Sequence, residues 1–386
     1  MYLAITQSVI FMKRPLSFDV LIIGGGLAGL TSALHLSKVG LSVLLIEKSA
    51  YPQHKVCGEY VSNEVIPYLR SLDADPGQLN PTQITRFQLT NTSGNKIETQ
   101  LPLGGFGISR FALDEFLYKK AKDAGCLIVQ DTVTEVLYNN DLFEVKTPHQ
   151  DYQAKIVLGA YGKRSSIDHS LQRKFIANKS PWLAVKAHYR GNFPSDLVAL
   201  HNFPGGYCGV SKVENDLINI CYLVNYDSFK QEKNILNHQK SVLHQNPYLK
   251  KIFENSEMHF EAHLSISQIS FQPKEKVNSH ILMIGDTAGL IHPLCGNGMS
   301  MAIHGAKLSS DLIVDYLSGK IPSRAALEKN YINEWNKNFR SRINTGRLLS
   351  RILEHENYAN TLMSGLVMFP GILPALIKRT HGKPII

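Results

Sequence analysis

Residues 19–48 read DVLIIGGGLAGLTSALHLSKVGLSVLLIEK, and this stretch decides the fold. Asp19–Ile23 is a continuous apolar run of the kind that forms a buried parallel strand. Leu27–Lys38 carries apolar residues at helical spacing, and Leu41–Ile46 forms a second strand. Gly24, Gly26 and Gly29 stand between the first strand and the helix in the spacing G-x-G-x-x-G. The first glycine permits the tight turn, the second lets backbone approach a diphosphate, and the third allows close helix–strand packing. The diphosphate then lies on the positive end of the helix. Glu47, ending the second strand, is placed to accept from a ribose hydroxyl and would repel a 2′-phosphate. This is a β-α-β dinucleotide site that disfavours bound NADP.

Working outward, the 386 residues are 44% hydrophobic and 19% charged, the composition of an ordinary globular protein with a large core and room for an insertion. The formal charge is +9, but the cations are scattered and no arginine-rich tract interleaves with aromatics, which argues against nucleic acid as a partner. The five cysteines form no C-x-x-C pair, so neither a disulfide framework nor a metal site is expected, and a reducing, cytoplasmic compartment is. The N-terminal apolar run precedes its positive charges, unlike a signal peptide, and Met12 is a plausible start, leaving residues 1–16 as an extension. No run of 18 apolar residues supports a spanning helix.

The alternation over 82–103 around a Gly-Asn turn predicts a hairpin. A helix is expected near Glu64–Ser71 and another over Phe111–Ala124. Short strands are expected at Leu127–Gln130, Val133–Tyr138, Leu142–Lys146 and Ile156–Gly159. β-Branched and aromatic runs return from Trp182 to Phe271, broken by one helical stretch around Gln231–His244. The expected architecture is α/β: a Rossmann-like dinucleotide-binding domain of the glutathione-reductase type, built discontinuously from 17–80, 107–180 and 275–325. An antiparallel substrate-binding sheet (81–106 and 181–274) is inserted into it, and 326–386 is a helical C-terminus.

The cofactor is decided by a second, late glycine motif, IGDTAGLIHPLCGNGMSMAI over 284–303. It resembles the G-D segment of the p-hydroxybenzoate hydroxylase superfamily, which implies that Asp286 bonds a ribityl chain and that Gly296, Gly298 and Met299 reach the isoalloxazine. Backbone N–H groups and a helix dipole aimed at the flavin N1/C2 edge would stabilise the reduced, anionic ring. The implied cofactor is FAD. KVCGEY (55–60), FPGGYCGV (203–210) and ISRFALDEFL (108–117) resemble segments of the geranylgeranyl reductase branch. That resemblance spans most of 17–303 and implies FAD contacts at Ala28, Glu47, Lys48, Cys57, Gly58, Arg110 and Val133.

Two departures stand out. The branch's G-A-D-G segment is GAYG here, with Tyr161 in place of an aspartate that helps organise the diphosphate and NAD(P)H docking in relatives. NAD(P)H is thus a less secure reductant, although Lys163 and Arg164 could attract its phosphate. Gly209 stands where the branch has tryptophan, and no W-x-W-x-I-P stretch exists, which disfavours a tryptophan-type halogenase.

Five residues are candidates for catalysis or for facing substrate. Cys57 and Cys295 read either as thiols near the isoalloxazine, donating a proton or forming a redox pair, or as small buried residues in tight turns. His292 reads as a general acid over the flavin or as a satisfied buried histidine. Tyr207 and Glu59 are candidate polar groups facing substrate. Cys126, Cys208 and Cys221 read as packing residues, and no metal-ligand spacing occurs.

The tail from Thr361 is apolar, broken by Pro370 and Pro374, and ends with Lys378, Arg379 and Lys383. It reads as a lid or peripheral membrane contact, or as a helix pair packed on the flavin domain. The leading expectation is an FAD-dependent oxidoreductase acting through flavin N5/C4a on a hydrophobic substrate, an isoprenoid or an aromatic polyketide-like lipid. The alternatives are an NAD(P)H-dependent monooxygenase that hydroxylates an aromatic ring, and a non-catalytic flavin-binding or prenyl-escort protein.

Overall fold

The computed structural model describes residues 15–232, 234–353, 356–369 and 371–386. The N-terminal apolar run, Met12 and Pro370 lie outside the described residues. Strand Leu16–Ile23 pairs in parallel with Val43–Glu47 on one side and Asp151–Gly159 on the other. The parallel order is Ile281–Met283, Asp151–Gly159, Leu16–Ile23, Val43–Glu47, Leu127–Gln130. The hairpin Glu135–Asn139/Leu142–Lys146 runs antiparallel against Asp151–Gly159. Val20, Leu21 and Ile22 are completely buried, because helices cover a parallel sheet whose strands are apolar throughout. Helix Leu27–Lys38 packs between helices Arg110–Asp123 and Gly298–Leu317.

The second sheet has the order Ser256–Met258, Trp182–Gly191, Ile218–Asn225, Gly206–Lys212, Leu197–Phe203, Thr82–Thr90, Lys96–Gly107, Tyr60–Ser62, with Leu264–Ser267 also on Trp182–Gly191. All of its pairings are antiparallel except Leu197–Phe203 with Thr82–Thr90. Two details differ from the sequence reading. Tyr60–Ser62 leaves the nucleotide unit and joins this sheet against Gly105–Gly107. The helical stretch near 231–244 is three short helices, Tyr226–Glu232, Ile235–Ser241 and Pro247–Glu254. The breaks come at Asn234 and Asn246, whose side chains cap the second and third helices by accepting from Leu236/Asn237 and Tyr248/Leu249 backbone N–H groups.

Helices Arg324–Leu353, Glu356–Met368 and Ile372–Thr380 complete the chain. Their inner residues Leu366, Met363, Leu373 and Ile377 cluster with Leu200, Leu223, Ile84 and Leu101 of the large sheet. Among the described residues no helix is long and apolar enough to cross a membrane.

Candidate active site

Three turns leave the carboxyl ends of adjacent parallel strands, where ligands of such sheets bind. They are locked to the strands in series: Gly24 N–H donates to Ile46 O at 2.8 Å, Ala160 N–H to Ile23 O at 2.8 Å, and Ile284 N–H to Gly159 O at 2.9 Å. Gly24 has φ +104°, and a Cβ there would strike the Ala160 carbonyl. Gly29 is pressed against the Gly24 carbonyl in the same way, so both glycines are demanded by close approach. Further bonds fasten the turns to one another. Gly162 N–H donates to Thr287 Oγ1 at 2.8 Å. Lys274 Nζ bridges Lys163 O and Asp286 O at 2.8 and 2.9 Å, and Arg173 holds Thr287 O at 3.0 Å.

Helix Leu27–Lys38 opens at Gly26 without a side-chain cap or a first-turn acid, and helix Gly298–Leu317 opens at Asn297 in the same state. The first-turn N–H groups of both helices are therefore available to an anionic or carbonyl oxygen. Glu47 accepts from Gly25 N–H at 2.6 Å and Ser49 N–H at 3.0 Å, which fixes its carboxylate beside the turn. Arg110 is gripped by Asp114 through two bonds of 2.7 Å. Its guanidinium sits within the electrostatic reach of Cys57 and Asp286. Residues 57, 110 and 286 thus share one electrostatic neighbourhood.

Gly24, Gly26, Cys57, Arg110, Asp286, Gly296 and Gly298 are half-exposed and Gly58 is exposed, forming an accessible seam beside buried Ala28, Gly29, Val133 and Met299. Lys48 is exposed at the edge of the turn. Two uncapped helix starts, a fixed carboxylate beside the first glycine turn and an accessible glycine seam are features that suit FAD.

The catalytic candidates separate. Both candidate thiols are free. Cys295 is buried, its thiol is pushed up to about 12 by that burial, and its sulfur lies against the close passage of Gly346. The thiol in the electrostatic neighbourhood of Cys57 is Cys221 instead, a residue the sequence marked only for packing. His292 is enclosed by Trp182, Phe271 and Tyr207. It shares a 2.9 Å bond between Nε2 and Ser350 Oγ, and burial pushes it down to about 3, so it is neutral at physiological pH. Tyr207 is buried beside it.

Glu59, expected to face substrate, does not. It is fully buried, bonded to Lys186, to His188 Nε2 at 2.7 Å and to Arg110 N–H at 2.7 Å. Burial opposes its charge, but Lys186 and the His188 bond outweigh that and hold the carboxyl below its usual value. Lys186 also reaches Lys55 O at 3.2 Å, and Asn219 Nδ2 donates to Gly58 O at 2.9 Å. The large sheet therefore clamps the loop that carries Cys57. Lys186 and His188 escaped the sequence reading, although a lysine and a histidine two apart on one face of an apolar strand were a visible signal.

Tyr51 was also missed. Its hydroxyl donates to Gly25 O at 2.6 Å and its ring stacks on Tyr118 with centroids 4.5 Å apart. Tyr161 is half-buried and donates to Met283 Sδ at 3.3 Å, close to the buried Asp168–Arg173 pair. A carboxylate thus remains near this turn although the motif lacks one.

Below the Gly296 turn lies an apolar cavity of about 90 Å³, lined by Leu89, Leu101, Leu200, Leu366, Leu373 and Ile377 with Cys295 and Gly296 at one wall. It lies between the large sheet and the C-terminal helices.

The family model described as FAD binding domain matches residues 17–325. Digeranylgeranylglycerophospholipid reductase 1 of Methanothermobacter thermautotrophicus is 25% identical over 366 residues, covering 89% of this chain and 87% of that protein. The flavin-dependent brominase Bmp2 superposes with a TM-score of 0.77 at 19% identity, covering 94% of this chain and 93% of its own. A geranylgeranyl bacteriochlorophyll reductase-like protein of Thermoplasma acidophilum superposes with a TM-score of 0.73 at 19% identity, covering 94% and 96%.

Proposed function

The chain belongs to this FAD-binding family and is an FAD-dependent oxidoreductase, and we propose from that premise that it acts on a hydrophobic, prenyl-type substrate. The observation that carries this is the cavity: its lining is mostly aliphatic, with Tyr60, Phe87 and His381 among the rest, and it ends at Cys295–Gly296, beside the turn assigned to the flavin ring. An aliphatic wall next to the reacting edge selects chains over polar metabolites. The relative named for digeranylgeranylglycerophospholipid supports the same substrate class.

When bound, FAD supplies the two-electron chemistry at its ring. The chain's residues bind and orient. Glu47 and the uncapped Gly26 helix hold the nucleotide half, Arg110 and Asp286 the middle, and the 296–299 turn the ring. His292, neutral and walled by aromatics, excludes water from the ring's neighbourhood. Cys57 is the half-exposed thiol on the other side of the seam and the better placed of the two cysteines to hold a proton near the ring. NADH or NADPH serves as reductant, with Lys163 and exposed Arg164 near the diphosphate turn.

The C-terminal helices and the link between them present exposed Met368, Phe369 and Ile372 together with Lys378 and Arg379, a combination suited to touching an anionic lipid surface without spanning it.

The test uses the purified holoprotein under anaerobic conditions. Flavin absorbance is followed on adding NADH or NADPH, then a geranylgeranyl lipid. Reoxidation by the lipid without oxygen, with saturation of a C=C bond seen by mass spectrometry, supports the reductase. If only oxygen restores the colour, and an aromatic acceptor gains oxygen or halogen, the prenyl reading fails.

A further inference from the structure

Glu64 is a fully buried carboxylate on which three other segments converge. Its Oε1 lies 3.3 Å from Asn297 Nδ2 and 3.4 Å from Arg342 Nη1. Its Oε2 accepts from Gly382 N–H, and its backbone carbonyl accepts from Ile385 N–H at 2.8 Å. Asn297 Nδ2 also donates to Thr380 O at 3.0 Å. Asn297 stands between Gly296 and Gly298, inside the turn assigned to the flavin ring. Residues 381–386 are thus strapped across the molecule and tied, through one carboxylate, to that turn. A buried charge with several partners costs far more to uncouple than a surface contact.

The strap is also a wall. Tyr60, Leu101, Ile377 and His381 border both the apolar cavity and a separate cleft of about 800 Å³ that contains 382–386. His381 closes edge-on to Tyr60, with ring centroids 6.1 Å apart. The inner cavity of about 90 Å³ falls below the several hundred Å³ of ordinary ligand pockets. The wall shared with the large cleft is Tyr60, Leu101, Ile377 and His381, the last of which begins the strap, so a prenyl chain gains room there when His381 moves away from Tyr60.

We propose that Glu64 is a positioning residue that couples the C-terminal strap to the flavin-facing turn, so that a chain entering between Tyr60 and His381 displaces the strap and is registered at the flavin. This rests on the apolar cavity being the substrate site. The coupling itself, however, can be read without any substrate.

Three holoprotein variants are compared with the parent: Glu64→Ala, Arg342→Gln, and a chain ending at Thr380. The readouts are tryptic cleavage after Lys378 and Arg379, the visible flavin spectrum, and the flavin midpoint potential. Loss of a charged hydrogen bond makes tail cleavage about tenfold faster in Glu64→Ala. The flavin bands and potential shift in the same direction in Glu64→Ala and in the shortened chain. Should Glu64→Ala fail to fold, the other two variants carry the same comparison. Faster tail cleavage with an unchanged spectrum and potential would reduce Glu64 to a structural tether and overturn the proposal, as would unchanged cleavage. In the parent, geranylgeraniol should reproduce both changes. Its failure alone, with the variants behaving as expected, would instead count against the prenyl substrate.

Discussion

Arg173 and Asp168 form an ion pair of 2.9 Å in which neither side chain is reached by solvent. Arg173 also donates to Glu275 O at 2.9 Å and Thr287 O at 3.0 Å, so one guanidinium braces the G-D turn against the segment after GAYG. Removing one partner strands a buried charge. Arg173→Met is expected to cost about 3–5 kcal/mol in urea unfolding and to lower the FAD content of the purified protein. An unchanged unfolding midpoint would show that the pair contributes nothing.

Glu47 holds Gly25 N–H and Ser49 N–H through both of its oxygens. Glu47→Ala removes a charged acceptor from the diphosphate turn and from the ribose side. FAD affinity should fall by about tenfold or more, on the order of 1.5–3 kcal/mol, in a fluorescence titration of the apoprotein. A Kd within twofold of the parent would place the nucleotide elsewhere.

His201 and His292 are both pushed down to about 3 by burial, whereas in the unfolded chain they titrate near 6.5. Between those values the unfolded chain holds more protons than the folded one. Stability is therefore complete above about pH 6.5 and falls as pH drops toward 3, by up to about 1.4 kcal/mol per pH unit for each histidine. Urea unfolding at pH 7 and pH 5 measures the slope. His201→Asn, which can retain the bond that Thr90 Oγ1 now shares at 2.9 Å, should flatten it. An equally steep slope in that variant would assign the acid sensitivity to other groups.

Leu366 lines the apolar cavity and is almost fully buried. Leu366→Trp fills that space at a cost of about 1–3 kcal/mol in stability. Reoxidation of the reduced flavin by a geranylgeranyl lipid should slow by at least about tenfold, while FAD content and reduction by NAD(P)H stay at the parent's level. Equal reoxidation rates would move the substrate out of this cavity.

The nucleotide half of the site was legible because its signals are local. Gly24, Gly26, Gly29 and Glu47 fall within one β-α-β unit, and their spacing reflects sterics of a single turn. The strand, turn and helix start that carry Asp286 and Gly296–Met299 were legible for the same reason, since they fall in one run. Glu59 was misread because nothing local marks its burial. Its partners Lys186 and His188 lie 127 and 129 residues away, on a strand whose apolar neighbours disguise them. Cys295 and Cys57 looked equivalent in sequence, and only packing separated them, by closing Gly346 over one sulfur and leaving the other half-exposed.

By itself the sequence determined the dinucleotide turn, the two-motif FAD cradle and the alternation of a parallel and an antiparallel sheet, since each follows from residue spacing within one or two elements. Tertiary structure alone decided what surrounds the strand-end turns. It set the large sheet's clamp on the Cys57 loop, formed the aliphatic cavity under Gly296, and gathered Glu64, Asn297, Arg342 and Gly382 around one buried carboxylate. Such constellations join residues as far apart as 318 positions. They exist only once the chain has paid the entropy of bringing those segments together, and no local pattern encodes that meeting.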